Sequence, residues 1–226
     1  MKKAFTMIEL VFVIVVVGII SAMIAPNFQR NSLREAADQL ISHIRYTQHL
    51  AMMDDKYNPS DSKWFLGRWT LRFQQNLVYT SSLPPIKTYS NVWDYSIYSD
   101  IPNYVGHHPD LNGLAKNPSN TQQYLSGGYD NVLHVMDDKS MKNLRLGDKY
   151  GVTNVAFSGG CRSNILYINF DYLGRPSNSF PGASPYEIPS PGYHKLLEQA
   201  CKITLSDGSK NLTIAIEPET GYAHIL

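Results

Sequence analysis

Cysteine is scarce here: Cys161 and Cys201 are the only two in 226 residues. An even pair suggests one disulfide in an exported chain and two buried thiols in a cytosolic one. Charge of one sign is lacking too, since 20 basic side chains face 19 acidic ones. That balance removes any bulk electrostatic case for nucleic acid or an anionic surface. No nucleophile motif such as G-x-S-x-G is present, so the chain reads as no enzyme, and no cofactor is implied. His107, His108 and Asp110 match no firm metal-ligand spacing. Asp130, Asp137 and Asp138 lack the dense alternation of a calcium loop. Disorder is excluded as well, because 43% of residues are hydrophobic and 17% charged. Tyrosine is plentiful, with 15 residues that crowd the region after residue 56 in all but one case, which suits exposed strands and binding surfaces.

Long hydrophobic runs are also few, and the main one opens the chain. Phe5 to Ala25 is nearly all apolar, yet it contains Glu9. A secretory signal peptide would need a shorter core and a small-x-small exit, whereas Met23 and Pro26 stand around that exit. A plain anchor fits the length, because about 20 apolar residues span a bilayer. Lys2 and Lys3 against an uncharged exit would then place the N-terminus in the cytoplasm. Glu9 argues against the plain anchor, since a carboxylate in a span costs a few kcal/mol and marks function. A third reading accounts for it. A cut between Ala4 and Phe5 would create an α-amine four residues before Glu9, about one helical turn and roughly 6 Å along the axis. The acid then gains a cationic partner on its own chain or on a neighbour.

The stretch KKAFTMIELVFVIVVVGIISAMIAPNF resembles the prepilin N-terminus of the type IV pilin and type II secretion pseudopilin superfamily. The carriers are a short basic leader, a small residue before Phe5, Thr6, Ile8-Glu9-Leu10, an apolar run, Gly18 and Pro26. Ala4 departs from the family, which usually has Gly there. The resemblance implies cleavage by prepilin peptidase between Ala4 and Phe5, N-methylation of Phe5, and assembly through Glu9. It also implies that Gly18 and Pro26 are sites where the helix kinks or extends on packing into a filament. Removing Lys2 and Lys3 would leave 18 basic against 19 acidic side chains, a balance of −1.

Past Pro26 the apolar residues Leu33, Ala36, Ala37, Leu40, Ile41, Ile44 and Ala51 keep a 3.6-residue period. One long helix is therefore expected from about Phe5 to Met53, roughly 70 Å in length, ended by Asn58-Pro59. Beyond it, FLGRWTLRFQ and NLVYTSS suggest a hairpin around Gln75 and Asn76, and NVWDYSIYS a further strand. Residues 100–130 read as a long loop, and NVLHVM and VTNVAFS as weaker strands. NILYINFDYLGRP is a strong strand. CKITLSDGSKNLTIAIEPETGYAHIL gives two or three strands, with Asp207-Gly208 as a turn. Cys161 precedes one strong strand and Cys201 begins another, so a bridge is geometrically possible if those strands lie close.

INFDYLGRP and ITLSDGSKNLTIAIEPETGYAHI look like the C-terminal half of the H-type minor pseudopilin and related minor pilins. An exported location favours the Cys161–Cys201 disulfide. The expected fold is α+β: a long N-terminal helix, transmembrane in its first half, packed on a C-terminal antiparallel sheet. The expected segments are leader 1–4, transmembrane and assembly helix 5–26, amphipathic stem 27–55 and periplasmic β-rich domain 56–226. The expected function is a minor pseudopilin of a type II secretion pseudopilus, in the bacterial inner membrane with its C-terminal domain periplasmic. Its expected partners are other pseudopilins or pilins, prepilin peptidase and an inner-membrane assembly platform. The alternatives are a minor pilin of a type IV pilus and a DNA-uptake pilin. For DNA, Lys139, Lys142, Arg145 and Lys149 form a loose basic run, and Asp137, Asp138 and Asp148 offset it.

Overall fold

The structure is a computed structural model that describes residues 6–24, 31–54, 56, 58–61, 64, 67–77, 91–99, 110–129, 132, 133, 135, 137–178 and 196–226. The chain divides into two compact units, Met1–Asn31 and Ser32–Leu226.

The first unit holds α1 (Met7–Ile24). Much of it is Val and Ile, whose branched side chains are stiff in a helix and lower its intrinsic propensity. The second unit begins with α2 (Ser32–Met53), which buries Leu33, Ala36, Ala37, Leu40, Ile41, Ile44, Thr47 and Ala51 along one stripe. Its mate is a pair of four-stranded antiparallel sheets. One has the order β2-β1-β6-β7, built from β1 (Trp69–Leu77), β2 (Asn91–Ser99), β6 (Tyr167–Phe170) and β7 (Pro176–Ser177). The other has the order β10-β9-β8-β5, from β5 (Asn154–Gly159), β8 (Cys201–Ser206), β9 (Asn211–Ile216) and β10 (Ala223–Ile225). Helix α2 touches β1 and β6 of the first sheet and β8, β9 and β10 of the second. Leu40 and Ile44 share one core cluster with Leu71 and Phe73 from β1 and with Ile203, Ile214 and Ile216. A short helix, α3 (Leu146–Tyr150), adds Leu146 and Tyr150 to that core.

Several expectations are corrected. The single helix from Phe5 to Met53 is two helices of 18 and 22 residues. Among the described residues no helix is long and apolar enough to cross a membrane. The 18 residues of α1 rise about 27 Å, short of the roughly 30 Å of hydrocarbon, and Glu9 lies in the first turn. The expected long helix with a transmembrane first half is therefore not what forms, and the single-pass inner-membrane placement that rested on it falls as well.

The hairpin expected at Gln75 and Asn76 is instead continuous strand, since β1 pairs with β2 from Trp69↔Ser99 through Leu77↔Asn91. Within the loop expected over 100–130, the described residues 110–129 hold regular structure. There β3 (Lys116–Asn117) and β4 (Asn120–Tyr124) form a small hairpin. Its flanks dock on β2, with Ala115 N–H donating to Ile97 O at 2.9 Å and Ile97 N–H to Leu125 O at 2.9 Å. Leu114 and Leu125 are buried by that docking. In NVLHVM the described residues Val132, Leu133 and Val135 belong to no strand, and Leu133 forms an isolated bridge with Tyr129.

Candidate assembly site

Helix α1 opens on a reciprocal cap. Glu9 Oε2 accepts from the Thr6 backbone N–H at 2.8 Å and from the Thr6 hydroxyl at 2.8 Å. The Thr6 oxygen in turn accepts from the Glu9 N–H at 3.4 Å. This is a capping box, Thr6 at the N-cap and Glu9 three residues on, and it satisfies donors that a helix start leaves open. The acid also faces the positive end of the helix dipole. Thr6-x-x-Glu9 ahead of an apolar run was legible as such a box. Among the described residues it is the threonine three residues back that meets the acid.

The rest of α1 is apolar on every side. Each side chain from Thr6 to Ser21 is exposed, including Leu10, Phe12, Ile14, Val17 and Ile20. α1 runs through Gly18 without a break, and an added Cβ there would meet nothing within 4 Å. Ala4, Phe5 and Pro26 lie outside the described residues.

In the second unit Cys161 and Cys201 form a disulfide, with Cα atoms 4.7 Å apart and both residues buried. Pairing of β5 with β8 brings them together: Gly159 lies opposite Cys201, and Cys161 follows two residues later. Two turns close on one side chain of α2. Gln48 Nε2 donates to Gly174 O, before β7, and to Thr220 O, before β10, each at 2.7 Å. Gly174 and Gly221 take left-handed φ values of 77° and 64°. A Cβ on Gly221 would stand 2.6 Å from Gln48 Nε2 and 2.9 Å from Gly174 O, so the turn needs both the absent side chain and the positive φ.

A polar knot joins α2 to β2. Gln39 Nε2 donates to the Tyr95 hydroxyl at 2.8 Å, His43 Nδ1 lies 2.7 Å from the same oxygen, and Tyr150 O–H donates to Gln39 Oε1 at 2.9 Å. Burial pulls the His43 imidazole down to about 4 and pushes the Tyr95 hydroxyl up, so both stay neutral near pH 7.

The loose basic run does not make one cationic face. Arg145 is buried and paired with Asp148, and Lys149 Nζ donates to Asn143 Oδ1 at 2.6 Å. Asp137 Oδ1 accepts from the Lys139 N–H at 2.9 Å as a turn. Among the described residues no group of three or more His, Cys, Asp or Glu could hold a metal ion. His107, His108 and Asp130 lie outside the described residues. No family model, no curated protein and no solved structure matches this chain.

Proposed function

We propose that this chain is a minor pseudopilin-type subunit, a structural component that joins a short filament through α1. The observation that carries this reading is the helix itself: all its described side chains are exposed and all but a few are apolar. A helix hydrophobic all round is stable only when something covers it. Sister helices of other pilin-like subunits would supply that cover. The resemblance of residues 1–30 to the prepilin N-terminus supports the same reading. Prepilin peptidase would remove Met1 to Ala4, and the Phe5 amine would then meet Glu9 of the same or an adjacent subunit.

Glu9 would serve twice in this reading. In the free subunit it caps its own helix through Thr6. In a filament a carboxylate drawn into an apolar bundle needs a cation more than a neutral hydroxyl. Mass spectrometry of the mature protein tests the proposal directly. An N-methylated Phe5 terminus is the expected result. A functional protein that keeps Met1 would remove the reading.

A further inference from the structure

The strand order β10-β9-β8-β5 leaves β10 at a sheet edge, and among the described residues no strand pairs with its outer side. Register decides which backbone groups face that side. β10 pairs with β9 through Ala223↔Ile216, His224↔Ala215 and Ile225↔Ile214. Glu217 N–H donates to Tyr222 O at 2.9 Å, and Leu226 N–H donates to Thr213 O at 3.0 Å. In an antiparallel pair, alternate residues bond to the partner strand. Tyr222, His224 and Leu226 therefore turn their backbone groups toward β9, and Ala223 and Ile225 turn theirs outward. A row of outward groups of this kind is a template for a further strand.

Beside β10 runs a groove of about 580 Å³. Arg34, Asp38, Ser42 and Arg45 line it from α2, and Ile225 and Leu226 line it from β10. The four α2 residues are all exposed and share one stripe at helical spacing. Arg45 shows that the groove reaches the strand edge. Its Nη2 donates to Ala223 O, an outward carbonyl, at 2.9 Å. The same guanidinium lies 5.5 Å from the centre of the Tyr222 ring. Arg34 is paired with Asp38 at 3.2 Å. Arg45 thus meets a carbonyl and an aromatic ring, and among the described residues it meets no carboxylate. The α2 side chains lining the groove leave one positive charge over.

We infer that this groove takes up an extended, acidic segment of a partner protein, which adds to β10 as a fifth strand of its sheet. An open strand edge flanked by a helix is an arrangement suited to strand addition: main-chain bonds hold the segment, and neighbouring side chains select it. From Arg34 to Arg45 the helix wall is about 17 Å long, the reach of roughly five residues of extended chain. An N–H of the arriving strand takes the place of Arg45 on Ala223 O, and the Ile225 N–H and C=O bond to the same strand. The Arg45 guanidinium then meets a carboxylate of the segment, a charge-assisted bond stronger than the one it gives up. A second copy fits less well, because β10 paired on β10 would bring two Arg45 groups to one seam. The site lies wholly in the second unit and does not rest on the assembly role given to α1.

Fluorescence anisotropy of the full-length protein with labelled, end-blocked peptides tests the site. The probe is a five-residue peptide that alternates threonine and valine around a central glutamate. A twin carries glutamine at the centre, and a third peptide carries methyl groups on its backbone nitrogens. Saturable binding of the glutamate probe is expected, with the glutamine twin about fivefold weaker and the methylated peptide silent. Arg45→Gln should weaken the glutamate probe about fivefold and bring it level with its twin. Ile225→Pro removes an outward N–H and leaves the bonds to β9 in place. It should weaken both probes about tenfold, while exposed Lys116→Gln, on β3, changes neither. Far-UV circular dichroism checks that each variant is folded, and the methylated peptide carries the edge test if Ile225→Pro fails to fold. Absence of saturable binding by the glutamate probe overturns the proposal, as does full binding by folded Ile225→Pro or of the methylated peptide. Equal binding of the glutamate probe and its twin to wild type overturns the acidic occupant. Protein dimers that dissociate with Ile225→Pro, without any uptake of peptide, would put a second copy on the edge and overturn the proposal equally.

Discussion

Gln48 and Gly174, 126 residues apart in sequence, are joined by a 2.7 Å hydrogen bond from the side-chain amide to the backbone carbonyl. The same amide nitrogen reaches Thr220 O at 2.7 Å, so one residue of α2 fastens a turn from each sheet. Gln48→Leu keeps much of the bulk and removes both donors. It should lower stability by roughly 1–2 kcal/mol, read as a shifted midpoint with unchanged slope in urea unfolding. Gly221→Ala should cost more, about 2–3 kcal/mol or above, because strain at positive φ adds to the clash with Gln48. Equal stability of Gly221→Ala and wild type would refute the clamp.

Stability should depend on His43 in mildly acidic solution. Burial lowers its folded pKa to about 4, against 6.5 for the ordinary group. The folded state then binds fewer protons than the unfolded one. Its contribution is therefore complete above about pH 6.5 and is lost as pH falls toward 4. The total loss over that window is up to about 3 kcal/mol. His43→Gln should flatten the stability profile between pH 6.5 and 4. A variant profile parallel to wild type there would exclude His43 as the cause.

The Cys161–Cys201 bridge closes a loop with a sequence separation of 40. Chain entropy assigns such a cross-link about 4 kcal/mol. The double variant Cys161→Ser with Cys201→Ser should lose a comparable amount, measured by chemical unfolding. Reductant should then lower the midpoint of wild type and leave the double variant unmoved.

The two roles given to Glu9 separate by substitution. Thr6→Val removes the hydroxyl of the capping box and should cost about 1 kcal/mol of helix stability. It keeps the carboxylate for a neighbouring Phe5 amine, so co-purification with pilin-like partners should persist. Glu9→Val should leave cleavage after Ala4 intact and abolish that co-purification. Normal partner recovery with Glu9→Val would show that capping is all Glu9 does.

The local pattern by itself determined the buried stripe of α2. Leu33, Ala36, Ala37, Leu40, Ile41 and Ile44 repeat at the helical period, and a helix has only one way to turn that period into a face. It likewise determined the β8–β9 hairpin, where Asp207 Oδ1 accepts from the Ser209 and Lys210 N–H groups and Gly208 takes φ 91°. The capping box of Thr6 and Glu9 was equally local, its two ends three positions apart. Only the tertiary structure decided what Gln74 and its neighbours were for. Their polarity reads as a turn, yet Gln74 is buried, donating to Asp94 Oδ1 at 2.8 Å and Gly128 O at 2.6 Å. A polar residue paid for by partners 20 and 54 positions away leaves no mark in its own neighbourhood. The sorting of strands into two sheets came from register in the same way. Register depends on contacts between distant segments, which no window along the chain contains.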